Sequence, residues 1–167
     1  MTLSVFCGPM NLPGEADVLY HNNGNGTFTD VTKRAGINDP GYYGFGVLFA
    51  DLDDDGWPDI YVANDSVPNL LFHNNHDGTF TEEGLKAGVA LSGDGRAQAG
   101  MGVDAADYDG DGHLDLIVTN FSHDYNTLYE NSGSGFFTDV SHLVGLSQGA
   151  APYLGWGVGF VDFDNDG

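Results

Sequence analysis

Residues 100–120 read GMGVDAADYDGDGHLDLIVTN, so that two apolar segments flank an acidic loop. The loop, Asp107–Asp115, has the pattern DxDxDGxxD, and its glycine at position 6 permits a sharp turn. The segment Asp115–Val118 is apolar nearly throughout, as is typical of a strand with both faces buried. The stretch therefore predicts a β-hairpin whose connecting loop is a dense cluster of carboxylates.

The same hairpin begins three times along the chain. A second acidic loop, DLDDDGWPD, occupies Asp51–Asp59, and a third, DFDNDG, starts at Asp162. The segments that precede the loops start at Gly46, Gly102 and Gly157, offsets of 56 and 55 residues. A further element, with the consensus NxLYxN followed by GTFTDV, recurs at Asp17, Asn69 and Asn126. A period near 55 residues fits the four-stranded blade of a β-propeller.

One unit can be divided into four predicted strands. They are Gly46–Ala50, Asp59–Ala63, Leu70–Asn74 and Thr79–Thr81. The turn between the last two is rich in Asn and Gly, which supply the positive φ of a tight hairpin. The sequence therefore predicts an all-β fold, a partial β-propeller of four-stranded blades.

The repeat spacing also predicts how residues 1–167 divide as one propeller fragment. Residues 15–32 are expected to form the C-terminal half of a blade, 44–83 and 100–140 two full blades, and 155–167 the start of another. The linkers 33–43, 84–99 and 141–156 are expected to be loops with a helical turn. Because the chain opens on half a unit and ends inside an acidic loop, we expect it to belong to a longer protein whose remaining blades cover its open edges.

The net charge of −21, from 25 acidic residues against 4 Lys and Arg, argues against nucleic acid as a partner. So few basic residues cannot neutralise a phosphate backbone, so we expect no nucleic acid binding. No apolar run approaches the roughly 20 residues of a membrane-spanning helix, so we expect no membrane insertion. The first ten residues lack the basic and apolar regions of a signal peptide, and the single cysteine, Cys7, provides no disulfide framework.

Four carboxylates within nine residues repel one another unless a cation lies between them. Ca²⁺ takes six to eight oxygen ligands with flexible geometry, whereas Mg²⁺ demands a strict octahedron, so the loops predict Ca²⁺ as the cofactor. Side chains at positions 1, 3, 5 and 9 and the backbone carbonyl at position 7 are the candidate ligands. They are Asp51, Asp53, Asp55, Trp57 (carbonyl) and Asp59; Asp107, Asp109, Asp111, His113 (carbonyl) and Asp115; and Asp162, Asp164 and Asp166.

Two alternatives to a propeller calcium loop have a similar sequence pattern. An EF-hand also begins DxDxDG, but it needs helical flanks and a bidentate Glu at position 12, where this sequence has Val62 and Val118. The second is an acidic surface turn that binds nothing. Three loops in the same place of the repeat favour a metal site over that alternative.

Other candidate sites in the sequence are weaker. His73 and His76 form an HxxH pair, which we attribute to turn polarity because residues three apart on a strand face opposite sides and His76 already falls in the turn. Trp57, Trp156, Tyr42 and Tyr43 could pack or could form a sugar-binding platform. Asp104 and Asp124 lie outside the loops and are expected to have no catalytic role. The sequence contains no HExxH, GxSxG or Walker A pattern.

These features resemble FG-GAP/VCBS repeats, the units of integrin-α-type propellers. The opening Phe6-Cys7-Gly8-Pro9, with the later LYxNNGxGTFTDVT pattern, is similar to the ASPIC/UnbV (cartilage acidic protein-like) family. The resemblance implies a Ca²⁺-stabilised, non-catalytic propeller in an extracellular, periplasmic or cell-surface location, acting as a scaffold for adhesion or for an unknown protein or glycan ligand. It also implies the ligand positions named above.

Two alternative functions belong to other classes. The chain could be the propeller portion of a secreted polysaccharide lyase or hydrolase, or a glycan-binding lectin. An enzyme would need His, Tyr, Arg or Lys clustered at the central channel, and four basic residues do not provide an evident cluster.

Overall fold

The computed structural model describes residues 8–9 and 11–164; Cys7 and Asp166 lie outside the described residues. Ten strands of this part of the chain form three antiparallel sheets, of two, four and four strands. The strands are β1 (Tyr20–Asn22), β2 (Phe28–Asp30), β3 (Gly44–Ala50), β4 (Asp59–Asn64), β5 (Leu70–Asn74), β6 (Phe80–Glu82), β7 (Gly100–Ala106), β8 (Asp115–Asn120), β9 (Thr127–Asn131) and β10 (Phe137–Asp139). The prediction of an all-β partial propeller is confirmed.

Each four-stranded sheet is a simple meander in sequence order, β3 to β6 and β7 to β10. The register repeats between sheets: Phe72 pairs with Glu82, and Tyr129 pairs with Asp139. The hairpin β1–β2 has the same register, with Tyr20 opposite Asp30, so it corresponds to the third and fourth strands of a blade.

The second strand of each blade is the most buried. All six residues of β4 are buried, and so are five of the six in β8. The main apolar cluster joins the two full sheets, with Tyr61 and Leu71 from one and Leu116, Tyr129 and Phe137 from the other. Buried apolar contacts therefore join neighbouring blades as well as the strands within each blade, as expected for a repeat protein.

The first strands of neighbouring blades approach each other closely at glycine. A Cβ added to Gly46 would lie 2.8 Å from the Met101 carbonyl oxygen, and one added to Gly102 would lie 2.0 Å from the Trp156 carbonyl oxygen. Residues 155–164 repeat this contact with β7 but form no strand within the described residues, which include no second strand to pair with them.

The linkers contain the predicted helical turns: α1 (Thr32–Ala35), α2 (Gly84–Ala87) and α3 (Leu146–Ala150). The first two end at left-handed glycines, Gly36 and Gly88. An added Cβ would lie 3.0 Å from the Phe80 carbonyl oxygen at Gly36 and 2.5 Å from the Phe137 carbonyl oxygen at Gly88. The first two linkers therefore pack against the last strand of the following blade at a glycine that leaves little room for a side chain.

Replacing Gly88 with alanine tests this docking. Gly78 is the matched control, because its φ of 84° is close to the 88° of Gly88 while no atom lies near an added Cβ. We expect Gly78→Ala to cost about 1 kcal/mol for the left-handed backbone alone, and Gly88→Ala about 2–4 kcal/mol because the clash adds to it. Urea denaturation measures both; equal losses would show that the close contact carries no energy.

Asp139, at the end of β10, joins three segments. Its carboxylate accepts hydrogen bonds from the Gly93 N–H (2.7 Å), the Tyr125 hydroxyl (2.9 Å) and the Ser141 N–H (3.0 Å). Burial raises the pKa of Asp139, but hydrogen bonds from Ser141, Gly93 and Tyr125 outweigh it and hold the pKa below its ordinary value.

A lowered carboxyl pKa stabilises the fold above the ordinary aspartate pKa of about 4, and the benefit is lost as the pH falls through the lowered folded value. We therefore expect Asp139→Asn to lower the free energy of unfolding by about 1–3 kcal/mol at pH 7. The difference in free energy of unfolding between wild type and Asp139→Asn should become smaller below a pH of about 4. Urea denaturation at pH 7 and pH 3 measures this difference, and a difference that stays constant would contradict the assignment.

Candidate calcium loops

The two complete acidic loops connect the first and second strands of their blades. One lies between β3 and β4 and the other between β7 and β8, so position 9 of each loop, Asp59 or Asp115, is also the first residue of a buried strand. The blade meander thus places both loops at the same end of the first hairpin.

Position 1 shapes each loop from inside. Asp51 accepts hydrogen bonds from the Asp55 N–H (3.1 Å) and the Gly56 N–H (2.9 Å). Asp107 accepts the equivalent bonds from Asp111 (3.1 Å) and Gly112 (2.9 Å). The glycine at position 6 has positive φ in both, 88° and 94°. In both loops, therefore, the backbone N–H groups at positions 5 and 6 donate to the carboxylate at position 1.

Position 9 anchors each loop to the sheet. Asp115 is buried and accepts hydrogen bonds from the Tyr108 N–H (3.0 Å) and the Asn131 N–H (2.8 Å). Asp59 has the equivalent partners Leu52 (3.2 Å) and Asn74 (2.9 Å). Burial raises the pKa of both carboxyls despite these bonds. A nearby cation would offset the cost of keeping them ionised.

The predicted ligands converge in part. Oxygens of Asp107, Asp109 and Asp115 lie within 4.8 Å of one another in the second loop, as do ligand atoms of Asp53, Asp55 and His73 in the first. One carboxylate oxygen of Asp53 is buried and has no hydrogen-bond partner. Burial and the neighbouring Asp55 raise the pKa of Asp53. An orphaned, crowded carboxylate is the arrangement that a dication would satisfy, so the residues present fit Ca²⁺.

The other predicted ligands are placed less tightly. Asp111 accepts a hydrogen bond from the His113 N–H (2.9 Å), and Asp55 accepts one from the Trp57 N–H (2.8 Å), which keeps positions 5 and 7 inside the loop. The ligand role of the Trp57 and His113 carbonyls stays a prediction. Asp162 and Asp164 lie in the irregular segment after Trp156, and Asp166 lies outside the described residues, so the third site also stays a prediction.

The sequence argument attributed His73 and His76 to turn polarity and gave them no place at the loop. His73 Nδ1 lies 3.1 Å from an Asp53 oxygen and 3.3 Å from an Asp59 oxygen, and His76 Nε2 contacts Asp55. The two imidazoles nevertheless point at one loop, because His76 lies in the turn, as predicted, with a φ of 64°. Pairing of β4 with β5 places Ile60 opposite Phe72, so His73 falls opposite Asp59; that register was the available signal.

The loops of neighbouring blades also contact each other. His113 of the second loop pairs with Asp54 of the first, and this hydrogen bond raises the pKa of His113. The β9–β10 turn covers the first loop, since a Cβ added to Gly135 would lie 3.0 Å from the Asp53 Cβ. The Asn131 side-chain amide donates to the Leu52 carbonyl (2.9 Å) across the same boundary. The first loop is therefore part of a blade interface.

One known repeat family matches this chain three times. The FG-GAP-like repeat matches residues 5–62, 51–118 and 107–167, so two of the three matches begin at position 1 of an acidic loop. The chain belongs to the FG-GAP-like repeat family. The predicted resemblance is thereby confirmed. Of the predicted function, the family match supports the repeat scaffold.

Relatives of this FG-GAP-like chain include cartilage acidic protein 1 from three species. The human protein is 33% identical over 140 residues, 82% of this chain and 20% of that protein. The mouse protein is 43% identical over 68 residues, 41% of this chain and 10% of that protein. The Xenopus tropicalis protein is 27% identical over 180 residues, 98% of this chain and 25% of that protein. The chain thus spans a quarter or less of the length of these relatives, and the likeness to the cartilage acidic protein family is confirmed.

Among the described residues of the FG-GAP-like chain, no helix has the length and apolar character needed to cross a membrane.

Proposed function

We propose that this chain is a calcium-stiffened, non-catalytic propeller scaffold that presents ligand-binding loops outside the cell. The observation that carries the proposal is the repetition of one carboxylate arrangement in two loops, including the buried anchor at position 9. A structural turn would need neither the crowding of Asp107, Asp109 and Asp115 nor the orphaned oxygen of Asp53.

The chain's own residues divide the work in this proposal. The carboxylate at position 1 accepts hydrogen bonds from backbone N–H groups of the loop, and the one at position 9 anchors the loop to a buried strand. Positions 3 and 5 provide the remaining carboxylates. Bound Ca²⁺ would supply the positive charge that these groups lack. The proposed ligands are those predicted from the repeat, and the ion fixes the first hairpin of each blade.

The proposal includes an extracellular, periplasmic or cell-surface location. Extracellular Ca²⁺ modules have dissociation constants on the order of 10⁻⁴–10⁻³ M. Such sites fill in the millimolar Ca²⁺ found outside cells and stay empty in the cytosol. One observation supports a non-catalytic role. Four loop carboxylates already accept backbone hydrogen bonds and are therefore poorly suited to proton transfer; they are Asp51, Asp59, Asp107 and Asp115.

We propose two kinds of partner: an unknown protein or glycan ligand at the loops, and the remaining blades of a longer protein at the open face. A groove of about 410 Å³ lies between β1 and β3, lined by Leu19, Phe45, Val47 and Phe49. Strand β3 occupies the first-strand position of its blade, and β1 the third-strand position of the preceding one. The first two strands of that preceding blade would cover this apolar surface.

Calcium titration of the full chain by isothermal calorimetry tests the proposal. We expect a dissociation constant on the order of 10⁻⁴–10⁻³ M, and Asp109→Ala should abolish binding at the second loop. Asp94→Ala is the matched control, because Asp94 is an exposed aspartate outside the loops whose contact is an ion pair with Arg96 at 3.9 Å. Absence of Ca²⁺ binding, or equal binding by the Asp109 variant, would refute the proposal.

A further inference from the structure

One buried side chain, that of Asn131 at the end of β9, joins the two complete acidic loops. Its amide nitrogen donates to the Leu114 carbonyl of its own blade's loop (3.0 Å) and to the Leu52 carbonyl of the neighbouring loop (2.9 Å). We propose that Asn131 is a positioning residue that couples the two loops, so that Ca²⁺ bound at either loop raises the affinity of the other. This inference rests on the proposed function, because it takes both loops as calcium sites.

Three hydrogen bonds link the position 9 carboxylate of one loop to that of the other. The Asn131 N–H donates to Asp115 (2.8 Å), and its side-chain amide donates to the Leu52 carbonyl. The Leu52 N–H in turn donates to Asp59 (3.2 Å). All four residues are buried, so water competes little with these bonds and each is strengthened by its surroundings. An ion that fixes Asp115 therefore also fixes the peptide groups on which the position of Asp59 depends.

Both ends of this link are held firmly. The two N–H groups of the Asn131 amide serve the two loops, and its oxygen accepts a hydrogen bond from the Gly133 N–H (3.0 Å). The Leu52 side chain packs in the apolar cluster that joins the two full blades. The first ion to bind thus carries the cost of ordering these groups. The second ion then binds a loop that is already ordered, which is a source of positive cooperativity.

The repeat provides its own comparison in Asn74, the last residue of β5. The Asn74 N–H donates to the position 9 carboxylate of Asp59 (2.9 Å), and its side-chain amide donates to the Pro58 carbonyl of the same blade's loop (2.9 Å). Asn131 makes both of these bonds in its own blade. Among the described residues, only Asn131 of this pair adds a hydrogen bond to the loop of another blade. Asn74 is therefore a matched control for the bond between blades.

A second contact between the loops is less suited to couple them. His113 pairs with Asp54, but both side chains are about a third or more exposed, at 33% and 42%. Exposed pairs of this kind contribute little because solvent and salt screen them. We therefore assign the coupling to the buried route through Asn131.

Calcium titration of the full chain, followed by amide NMR, measures the two loops separately. The Gly56 and Gly112 N–H groups each donate to position 1 of their own loop, so their signals report the first and the second loop. Asp109→Ala disables the second loop and Asp53→Ala the first. The coupling is the factor by which the dissociation constant of one loop rises when the other is disabled.

We expect Asp109→Ala to weaken Ca²⁺ binding at the first loop about fivefold or more, and Asp53→Ala to weaken the second loop by the same factor, as linkage requires. In an Asn131→Ala background the factor should fall below about twofold. It should stay at its wild-type value in Asn74→Ala and in Asp54→Asn, which removes the exposed contact. Circular dichroism in chelator verifies that each variant folds.

Hydrogen exchange at the Leu52 N–H provides a readout that needs no change at Asn131. In Asp53→Ala, Ca²⁺ can fill the second loop alone, and exchange at Leu52 should then slow about fivefold or more. If Asn131→Ala does not fold, this measurement and the factor in the Asn131-containing chain decide the question.

Two results would overturn the inference and leave the calcium sites in place. One is a factor near one in the chain that retains Asn131, with Leu52 exchange unaffected by Ca²⁺. The other is an unchanged factor in a folded Asn131→Ala variant. Absence of Ca²⁺ binding at both loops would instead refute the proposed function together with the inference, so the two failures are distinguishable.

Discussion

Replacing Asp115 with alanine in the presence of chelator should lower the free energy of unfolding by about 2–4 kcal/mol. The carboxylate is buried, and its two oxygens accept the N–H groups of Tyr108 and Asn131 at 3.0 and 2.8 Å. Alanine leaves both donors unsatisfied, and that cost exceeds the relief of removing a buried charge whose pKa burial has raised. Urea denaturation with chelator measures the loss without any contribution from bound metal.

Two variants isolate the cause of this loss. Asp115→Asn keeps one acceptor oxygen and removes the charge, so we expect a loss of about 1–2 kcal/mol. Asp77→Ala also removes an aspartate with two hydrogen bonds, from the Thr79 N–H and hydroxyl, but that side chain is exposed and water can replace it. A loss at Asp77 equal to that at Asp115 would show that the anchor at position 9 has no special role.

Phe137→Ala should cost about 3–5 kcal/mol. Phe137 is only 7% exposed and packs in the apolar cluster that joins the two full blades. Its neighbour Phe136 is 49% exposed, because successive residues of an extended segment face opposite sides. We expect Phe136→Ala to cost less than about 1 kcal/mol.

Thermal and urea denaturation of both phenylalanine variants measure how strongly the blades are coupled. A single cooperative transition at lower stability in Phe137→Ala would show that the blades unfold together. Similar losses in both variants, or a small loss at Phe137, would contradict an inter-blade core.

Much of the fold could be predicted because local signals and repeat spacing agree. The predicted third strand, Leu70–Asn74, matches β5 exactly, and the other predicted strands of that unit differ from the structure by one or two residues at their ends. Hairpin turns with Asn and Gly are fixed by backbone conformation, so they are readable from sequence. The segment from Gly157 to Val161 has the same sequence pattern as the other first strands but forms no strand. A strand needs a hydrogen-bonded neighbouring strand, and the described residues include none that pairs with this segment.

The candidate site could be predicted where its residues lie within nine positions of one another, and was missed where they come from separate strands or blades. Asp51 and Asp107 are ordered by donors four and five residues away, a local effect. His73 reaches the loop through strand register, and the pairing of His113 with Asp54 depends on how two blades sit together. Long-range packing of this kind leaves no local pattern.

The most direct test of the central claim is a thermal melt of the full chain, followed by circular dichroism, in chelator and in increasing Ca²⁺. A ligand that binds only the folded state raises the midpoint in step with its concentration. At millimolar Ca²⁺ we expect stabilisation of about 1–3 kcal/mol, a rise of about 3–10 °C, which shrinks in Asp109→Ala. A folded chain whose midpoint does not move with Ca²⁺ would contradict the assignment of these loops as calcium sites.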